Sequence, residues 1–332
     1  MRLSYDDAGS GECVVLIHGH PFDRTLWKPQ LAALRGSFRV LAPDLRGFGD
    51  SPVTPGAVAM REYAADIEEL LAELGIARAA IIGLSMGGLV AMELAAAAPL
   101  RYWALGLIAT TAEPPSPQDL RAREERADAI ERDGIGVLVE YMHTGLYGPD
   151  CPPAVRARVD AMMAAAPPDG AAAALRGRGR RPDYRPMLAV LDIPALVVAG
   201  TADPWSTAAV TAEIVASLRR PSLLAIDGAG HLPNLEAEAR FNEALLTFLV
   251  QHRPLSGNSG RFQSGDRPSV ATIRSSGEPP PADREGAKAA PGARRLSPSG
   301  TASATRSATS STSAGNSASR PSALATSQEC TT

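Results

Sequence analysis

Short apolar runs alternate with longer amphipathic segments along most of this chain, and no other feature constrains its fold as strongly. The runs are nearly unbroken in hydrophobicity and cover Cys13 to Ile17, Val40 to Ala42, Ala79 to Gly83, Leu105 to Ala109, Ala195 to Ala199 and Leu223 to Ile226. Such runs are typical of parallel strands that are covered on both faces. The repeated order of strand and helix therefore predicts an α/β fold with a doubly wound, mostly parallel sheet.

The segments between these runs carry helical periodicity. In REYAADIEELLAEL, residues 61–74, the apolar residues recur on one helical face, and Gly75 follows as a stop signal. MGGLVAMELAAAA and NLEAEARFNEALLTFLV predict two further helices.

One region breaks the alternation. Between Thr110 and Pro194 the chain has helical stretches but no convincing strand, and the stretches read PQDLRAREERADAIERD, IGVLVEYMHTGL and AVRARVDAMMAAA. Ligands of open α/β folds bind at the carboxyl edge of the sheet, so this insertion is expected to be a helical cap that walls a ligand pocket. The alternative is a helical excursion without a role in binding.

Composition excludes several classes of protein. A net charge of -3 over 332 residues gives no reason to expect nucleic acid or an anionic membrane as a partner. The three cysteines are scattered, without the spacing of a disulfide framework or a zinc cluster. Neither a secretory signal nor an apolar run of membrane-spanning length is recognisable, which favours the cytoplasm. Residues 253–332 are rich in Ser, Thr, Pro, Gly, Arg and Ala and are predicted to be a disordered tail.

Residues 83–87 read GLSMG, a G-x-S-x-G pattern between a predicted strand and a predicted helix. A serine held in a strained, sharp turn leaves no room for side chains two positions before and after it, which accounts for both glycines. Serine is a poor nucleophile unless a base activates it and an acid orients that base. Ser85 is therefore a candidate nucleophile.

His231 is the candidate base. It lies in GAGHLPNLE, a loop between the last apolar strand and the final helix, and therefore at the same sheet edge as Ser85. His252 ends the last helix and is interpreted as solvated, whereas His143 is either packed within the cap or part of a pocket wall. The orienting acid should lie between the serine and the histidine in chain order. Asp203, in VVAGTADPW, is preferred; it follows the strand Ala195 to Ala199 and faces the carboxyl edge of the sheet. Glu113 is the rival acid, and Asp203 could instead only initiate a turn before proline.

Two backbone amides are candidate donors for an oxyanion. One is the N–H of Met86, directly after the nucleophile, and the other is the N–H of His20, in the loop after the first strong strand. His18 and His20 also form an H-x-H pair, but a third metal ligand is not evident nearby, so neither a metal nor a cofactor is expected.

These residues resemble the α/β-hydrolase superfamily of serine hydrolases. The resemblance rests on five blocks in the family's order: HGHPFDRTLW, DLRGFGDSP, GLSMGG, LVVAGTADP and GAGHLPNLEAEARFNEALLTFL. It implies a catalytic triad of Ser85, Asp203 and His231, with His20 and Met86 as oxyanion donors. It also implies that Asp44 and Arg46 form a local hydrogen-bond network rather than acting in catalysis. An aspartate in place of Ser85 would be needed for a haloalkane dehalogenase.

The N-terminal end of the sheet departs from the family's pattern. The family has an edge strand or two before the first strong strand, whereas only about eleven residues precede Glu12 here. This difference predicts either a shortened sheet edge or a start that lies downstream of the real one.

Composition and the alternation of strands and helices divide the chain into a first core part, residues 1–111, a helical cap, 112–190, a second core part, 191–252, and the tail, 253–332. The resemblance to known enzymes is more specific. It is strongest to enol-lactone hydrolases, small carboxylesterases and cofactor-free haloperoxidases, and it implies a small ester or lactone as substrate. A perhydrolase, a carbon-carbon bond hydrolase or a non-hydrolysing small-ligand receptor remain alternatives.

Substrate selection is less well constrained by the sequence. The pocket is predicted to be apolar, with Trp27, Tyr141, Met142, Trp205 and Tyr147 as candidate wall residues, although such residues are more often simple core. Arg24, or the arginines at 178–181 in RGRGRR, could hold a carboxylate, but the second group is better interpreted as part of a solvated linker.

Overall fold

A computed structural model describes residues 1–254 of the chain. Seven strands form one sheet in the order β1-β3-β2-β4-β5-β6-β7, in which only β1 is antiparallel to its neighbour. Their bounds are β1 Tyr5–Ala8, β2 Cys13–Ile17, β3 Arg39–Pro43, β4 Ala79–Leu84, β5 Tyr102–Ile108, β6 Ala195–Gly200 and β7 Pro221–Ile226. The predicted doubly wound α/β sheet is confirmed.

Helices flank this sheet. A 3-10 turn at Arg24–Trp27 precedes α1 Lys28–Leu34, and the other elements outside the insertion are α2 Met60–Glu73, α3 Met86–Ala97, α9 Ala208–Ser217, α10 Pro233–Glu236 and α11 Glu238–His252. The apolar stripe of α2 faces the core, and the chain leaves the helix through Gly75 at a φ of +65°. The single helix predicted from residue 234 onward is instead two, because the backbone at Ala237 leaves the helical region, with φ -129° and ψ 51°.

Both ends of the sheet differ from the sequence prediction. The strand β1 pairs antiparallel with β3, although YDDA has too little apolar character to be recognised as a strand. At the other end, β7 was expected to be covered on both faces, but Leu223 is 54% exposed. An edge strand has one neighbour and incomplete cover, so its apolar residues need not be buried.

The helical insertion joins β5 to β6. It holds five helices: α4 Pro117–Asp133, α5 Gly136–His143, α6 Pro153–Ala164, α7 Pro168–Arg178 and α8 Arg185–Leu188. Of these, α7 and α8 were not predicted. The two glycines in PDGAAAALRGR weaken the helical pattern of α7, and α8 has only four residues. Within residues 1–254 no helix is long and apolar enough to cross a membrane. Apart from residues 253 and 254, the predicted disordered tail lies outside the described part of the chain.

Candidate active site

Ser85 lies in the turn between β4 and α3, with φ +54° and ψ -113°. Positive φ is costly for a non-glycine residue, and such conformations persist only where the surroundings enforce them. The Ser85 amide donates to the Ile108 carbonyl at 2.8 Å, and the Thr110 hydroxyl donates to the Ser85 carbonyl at 2.7 Å. Ile108 at the end of β5 and Thr110 just after it therefore hold both the amide and the carbonyl group of Ser85 in place.

The two flanking glycines are required by close backbone approach. A Cβ atom at Gly83 would lie 2.1 Å from the carbonyl oxygen of Gly87, and one at Gly87 would lie 2.2 Å from that of Ile17. Real Cβ atoms do not approach backbone so closely, and a backbone carbonyl cannot rotate away like a side chain. The G-x-S-x-G spacing thus follows from the packing of α3 against β2 and β4.

Asp203 and His231 come together at the same edge of the sheet. Asp203 follows β6, and His231 follows β7, in two loops whose side chains meet with 2.7 Å between His231 Nδ1 and Asp203 Oδ2. Both residues are buried. With Nδ1 donating to the carboxylate, the second ring nitrogen, Nε2, is left free to accept a proton. Glu113, the rival acid, has no hydrogen bond to His231 among the described residues.

The Asp203 carboxylate is held ionised by its partners. Burial alone would raise its pKa, but the His231 imidazole, the Ser206 hydroxyl and the Trp205 amide together hold the pKa below its ordinary value. The Trp205 amide donates to Oδ1 at 2.8 Å, and the Ser206 hydroxyl donates to Oδ2. Hydrogen bonds to the charged form stabilise it, so Asp203 stays an acceptor for His231 at neutral pH.

One carboxylate, that of Glu236, holds the loop that carries His231 in place. Glu236, in α10, accepts from the amides of Gly148 at 2.8 Å, Gly230 at 3.0 Å and Leu232 at 3.2 Å. The His231 amide also donates to the carbonyl of Leu146 at 2.9 Å. Two of these contacts join the histidine loop to the 146–148 segment of the helical insertion. Sequence reasoning missed Glu236, because its partners are backbone groups that leave no pattern in the residue types.

Ser85, His231 and His20 line one cavity of about 340 Å³. The serine hydroxyl has no hydrogen-bond partner within residues 1–254, so it is available to a ligand in the cavity. Catalytic hydrogen bonds are often long in unliganded sites and shorten when substrate binds.

The two candidate oxyanion donors have different surroundings. The Met86 amide is at the first position of α3, where no preceding turn supplies a carbonyl for it. The His20 ring bonds the Ala171 carbonyl at 2.9 Å, which joins the loop after β2 to α7.

Three of the candidate wall residues line this cavity, namely Tyr141, Met142 and Trp205. Trp205 packs edge-on against the His231 ring at 4.9 Å and stacks on Tyr141 at 6.1 Å between ring centroids. Trp27 does not line it: this side chain is fully buried in the core and packs against Phe241 of α11. Tyr147 is also elsewhere, with its hydroxyl 2.5 Å from Asp160 Oδ1.

The expected apolar character of the cavity is wrong. Four arginines line it, namely Arg123, Arg126, Arg178 and Arg181, together with the carboxylates of Glu113 and Asp119. The interpretation of RGRGRR as a solvated linker is therefore corrected, because Arg178 ends α7 and, like Arg181, reaches the cavity. Burial lowers the pKa of Arg178 well below its ordinary value, and the like charges of Arg123 and Arg181 add to this effect.

The remaining sequence candidates have other surroundings. Arg24 pairs with Asp44, Asp6 and Asp50 and does not line the cavity. His143 is exposed and bonds Asp160 at 2.8 Å rather than packing or walling the cavity. His18 accepts from the Leu45 amide at 2.9 Å. No group of three or more potential metal ligands occurs in the described part of the chain.

A strained serine after a parallel strand, with a histidine and an aspartate at the same sheet edge, defines a site of the α/β-hydrolase type. The sequence model of the alpha/beta hydrolase family matches residues 14–244. The chain belongs to this family.

Individual relatives are hydrolases. The chain is 30% identical over 230 residues to 3-oxoadipate enol-lactonase 1 of Acinetobacter baylyi, a match that covers 68% of this chain and 84% of the relative. Among solved structures, it resembles a thermophilic esterase from Thermogutta terrifontis with malate bound, with a TM-score of 0.74, 36% identity, and coverage of 76% of this chain and 94% of the other. The enol-lactonase from Burkholderia xenovorans gives a TM-score of 0.70 at 29% identity, over 75% and 96% of the two chains.

Proposed function

We propose that this protein is a serine hydrolase that cleaves a small carboxylic ester or lactone through an acyl-enzyme intermediate. The observation that carries the proposal is the shared cavity of Ser85 and His231, where the histidine is bonded to Asp203 through the opposite ring nitrogen. Relatives named as an enol-lactonase and an esterase support the same bond class. The expected substrate fits a cavity of about 340 Å³, which is small-molecule size.

In the proposed reaction, His231 Nε2 takes the proton from the Ser85 hydroxyl as Oγ attacks the ester carbonyl. The tetrahedral oxyanion accepts hydrogen bonds from the amides of Met86 and His20, each worth about 3 kcal/mol to the transition state. Collapse of the intermediate breaks the bond to the leaving oxygen, which takes the proton from His231. Water, deprotonated by the same histidine, then attacks the acyl group and frees Ser85.

Asp203 acts on the histidine rather than on the substrate. Its carboxylate accepts from Nδ1–H, keeps Nε2 as the basic nitrogen, and stabilises the imidazolium that forms in each half-reaction. The low pKa of Asp203 suits this role, since a neutral carboxylic acid would offer neither the charge nor the acceptor.

Hydrolysis of p-nitrophenyl acetate and butyrate by the wild type, Ser85→Ala and His231→Ala tests the proposal. We expect both variants to lose at least about three orders of magnitude in kcat with little change in melting temperature. His143→Ala is a matched control, since this histidine is exposed and does not line the cavity, and its rates should equal those of the wild type. Unchanged rates in both the Ser85 and His231 variants would refute the proposal.

A further inference from the structure

The helical insertion directs four guanidinium groups at the cavity that contains Ser85. Arg123 and Arg126 come from α4, Arg178 is the last residue of α7, and Arg181 follows three positions later. The helices α4 and α7 pack on each other, so residues far apart in sequence converge on one wall of the cavity. A ligand that reaches Ser85 must therefore lie beside this wall.

The described residues, 1–254, neutralise these four arginines only in part. None of them forms an ion pair with a carboxylate of residues 1–254. Arg181 donates only to main-chain carbonyls, those of Glu113 at 3.0 Å and of Arg178 at 3.1 Å. The guanidinium of Arg126 lies 3.5 Å above the ring of Tyr141. The Nε atoms of Arg123 and Arg178 are buried without any hydrogen-bond partner.

Arg176 provides the contrast on the same helix. Its guanidinium binds three carboxylates of α4, those of Glu124, Asp128 and Glu131. The α4 helix thus forms close ion pairs with the arginine that does not line the cavity. Its carboxylate at the cavity, that of Asp119, forms no ion pair with the four arginines that do. A buried cation without a partner is costly, and the cost persists unless some other group removes it.

The net charge of the residues that line the cavity indicates how much negative charge a ligand needs in order to offset the cost of the buried arginines. The cavity is lined by four arginines and by two carboxylates, Glu113 and Asp119, and so has an excess of two positive charges. The Asp119 carboxylate is already engaged by the Ser116 hydroxyl at 2.8 Å as a helix cap. Guanidinium groups bind carboxylates through paired, charge-assisted hydrogen bonds.

We propose that the substrate is doubly anionic, an ester or lactone of a polycarboxylic acid that retains two free carboxylates for the arginine wall of Arg123, Arg126, Arg178 and Arg181. This proposal rests on the proposed hydrolase function for the scissile bond, whereas the binding of the carboxylates does not depend on Ser85. The arginines select the substrate and orient its carbonyl toward Ser85, and they take no part in bond cleavage.

Three ethyl esters with the same five-carbon acyl chain test the selectivity: ethyl valerate, monoethyl glutarate and the terminal monoethyl ester of tricarballylic acid. They carry no, one and two free carboxylates, and ethanol release reports hydrolysis of each. We expect kcat/KM to rise by about tenfold or more at each step, and Arg178→Gln and Arg123→Gln each to abolish most of this rise. Arg180→Gln is the matched control and should behave as wild type, because Arg180 is exposed, lies just beyond the end of α7 and does not line the cavity.

Binding is measured separately in the Ser85→Ala variant. Calorimetric titration with glutarate, a dianion, is expected to give heat of binding that Arg178→Gln or Arg123→Gln weakens about tenfold, while the diamide glutaramide gives none. Two arginine variants keep the test decisive if one of them does not fold.

The outcomes separate the two proposals. Glutarate binding without hydrolysis of any ester would refute the proposed function and leave the arginine wall supported. A faster reaction of ethyl valerate than of the charged esters, or equal binding of glutarate and glutaramide, would overturn the dianion proposal. Tighter binding of glycerol phosphate than of glutarate would overturn the assignment of the two charges to carboxylates.

Discussion

The Nδ1 atom of His231 lies 2.7 Å from Oδ2 of Asp203, although the two residues are 28 positions apart and belong to loops after different strands. Parallel strands β6 and β7 are neighbours, so their carboxyl ends bring the two loops to one sheet edge. The contact with Asp203 orients the His231 ring, and His231 also lines the cavity of Ser85.

Replacement of Asp203 by asparagine should remove the charge and reverse the hydrogen bond to His231. On the proposed mechanism, kcat for a p-nitrophenyl ester falls by about 10⁴-fold, because the histidine is held in the wrong tautomer. Circular dichroism should show an unchanged fold. Glu113→Gln tests the rival acid in parallel: loss of activity in that variant but not in Asp203→Asn would assign the orienting role to Glu113.

Replacement of Gly87 by alanine should disrupt the nucleophile turn through packing alone. The added Cβ would lie 2.2 Å from the Ile17 carbonyl oxygen, and relief requires a shift of α3 or β2. We expect the free energy of unfolding in urea to fall by about 3 kcal/mol, with loss of ester hydrolysis. Gly136→Ala is the control, because nothing lies within 4 Å of its added Cβ and alanine favours the helix. Equal stability of the two variants would contradict the steric explanation.

Glu236 offers a test of how the histidine loop is positioned. Glu236→Gln replaces one acceptor oxygen by an NH₂ group that faces backbone N–H donors, which should cost about 2 kcal/mol of stability. We also expect a lower kcat with KM little changed, since the histidine rather than the substrate site is displaced. The control is Glu238→Gln, an exposed residue of the next helix. A variant that keeps full kcat would show that the His231 loop does not need the Glu236 carboxylate.

The sheet and the serine turn could be predicted from the sequence because their causes are local. Unbroken apolar runs identify the central strands, and the two glycines around Ser85 follow from the steric needs of one turn. Order along the chain then pointed to Asp203 and His231, which the fold brings into contact. The edge strand β1 could not be predicted, since its pairing with β3 depends on main-chain hydrogen bonds rather than on apolar side chains.

The cavity wall was predicted poorly, for a physical reason. Whether an arginine such as Arg178 faces water or a cavity depends on how α7 packs on α4, and the residue types in RGRGRR do not encode that packing. Trp27 shows the reverse case, an aromatic residue near a catalytic loop that the fold buries against α11. When the role of a residue depends on contacts between helices that are distant in sequence, that role can be identified only from the structure.

A fluorophosphonate probe followed by intact-mass and peptide analysis tests the assignment of the nucleophile most directly. We predict one adduct on the folded wild-type protein, located on Ser85, none on Ser85→Ala, and much slower labelling of His231→Ala, because the serine needs its base to react. A folded wild-type protein that takes up no probe, or that takes it up on a residue other than Ser85, would contradict the proposed catalytic role.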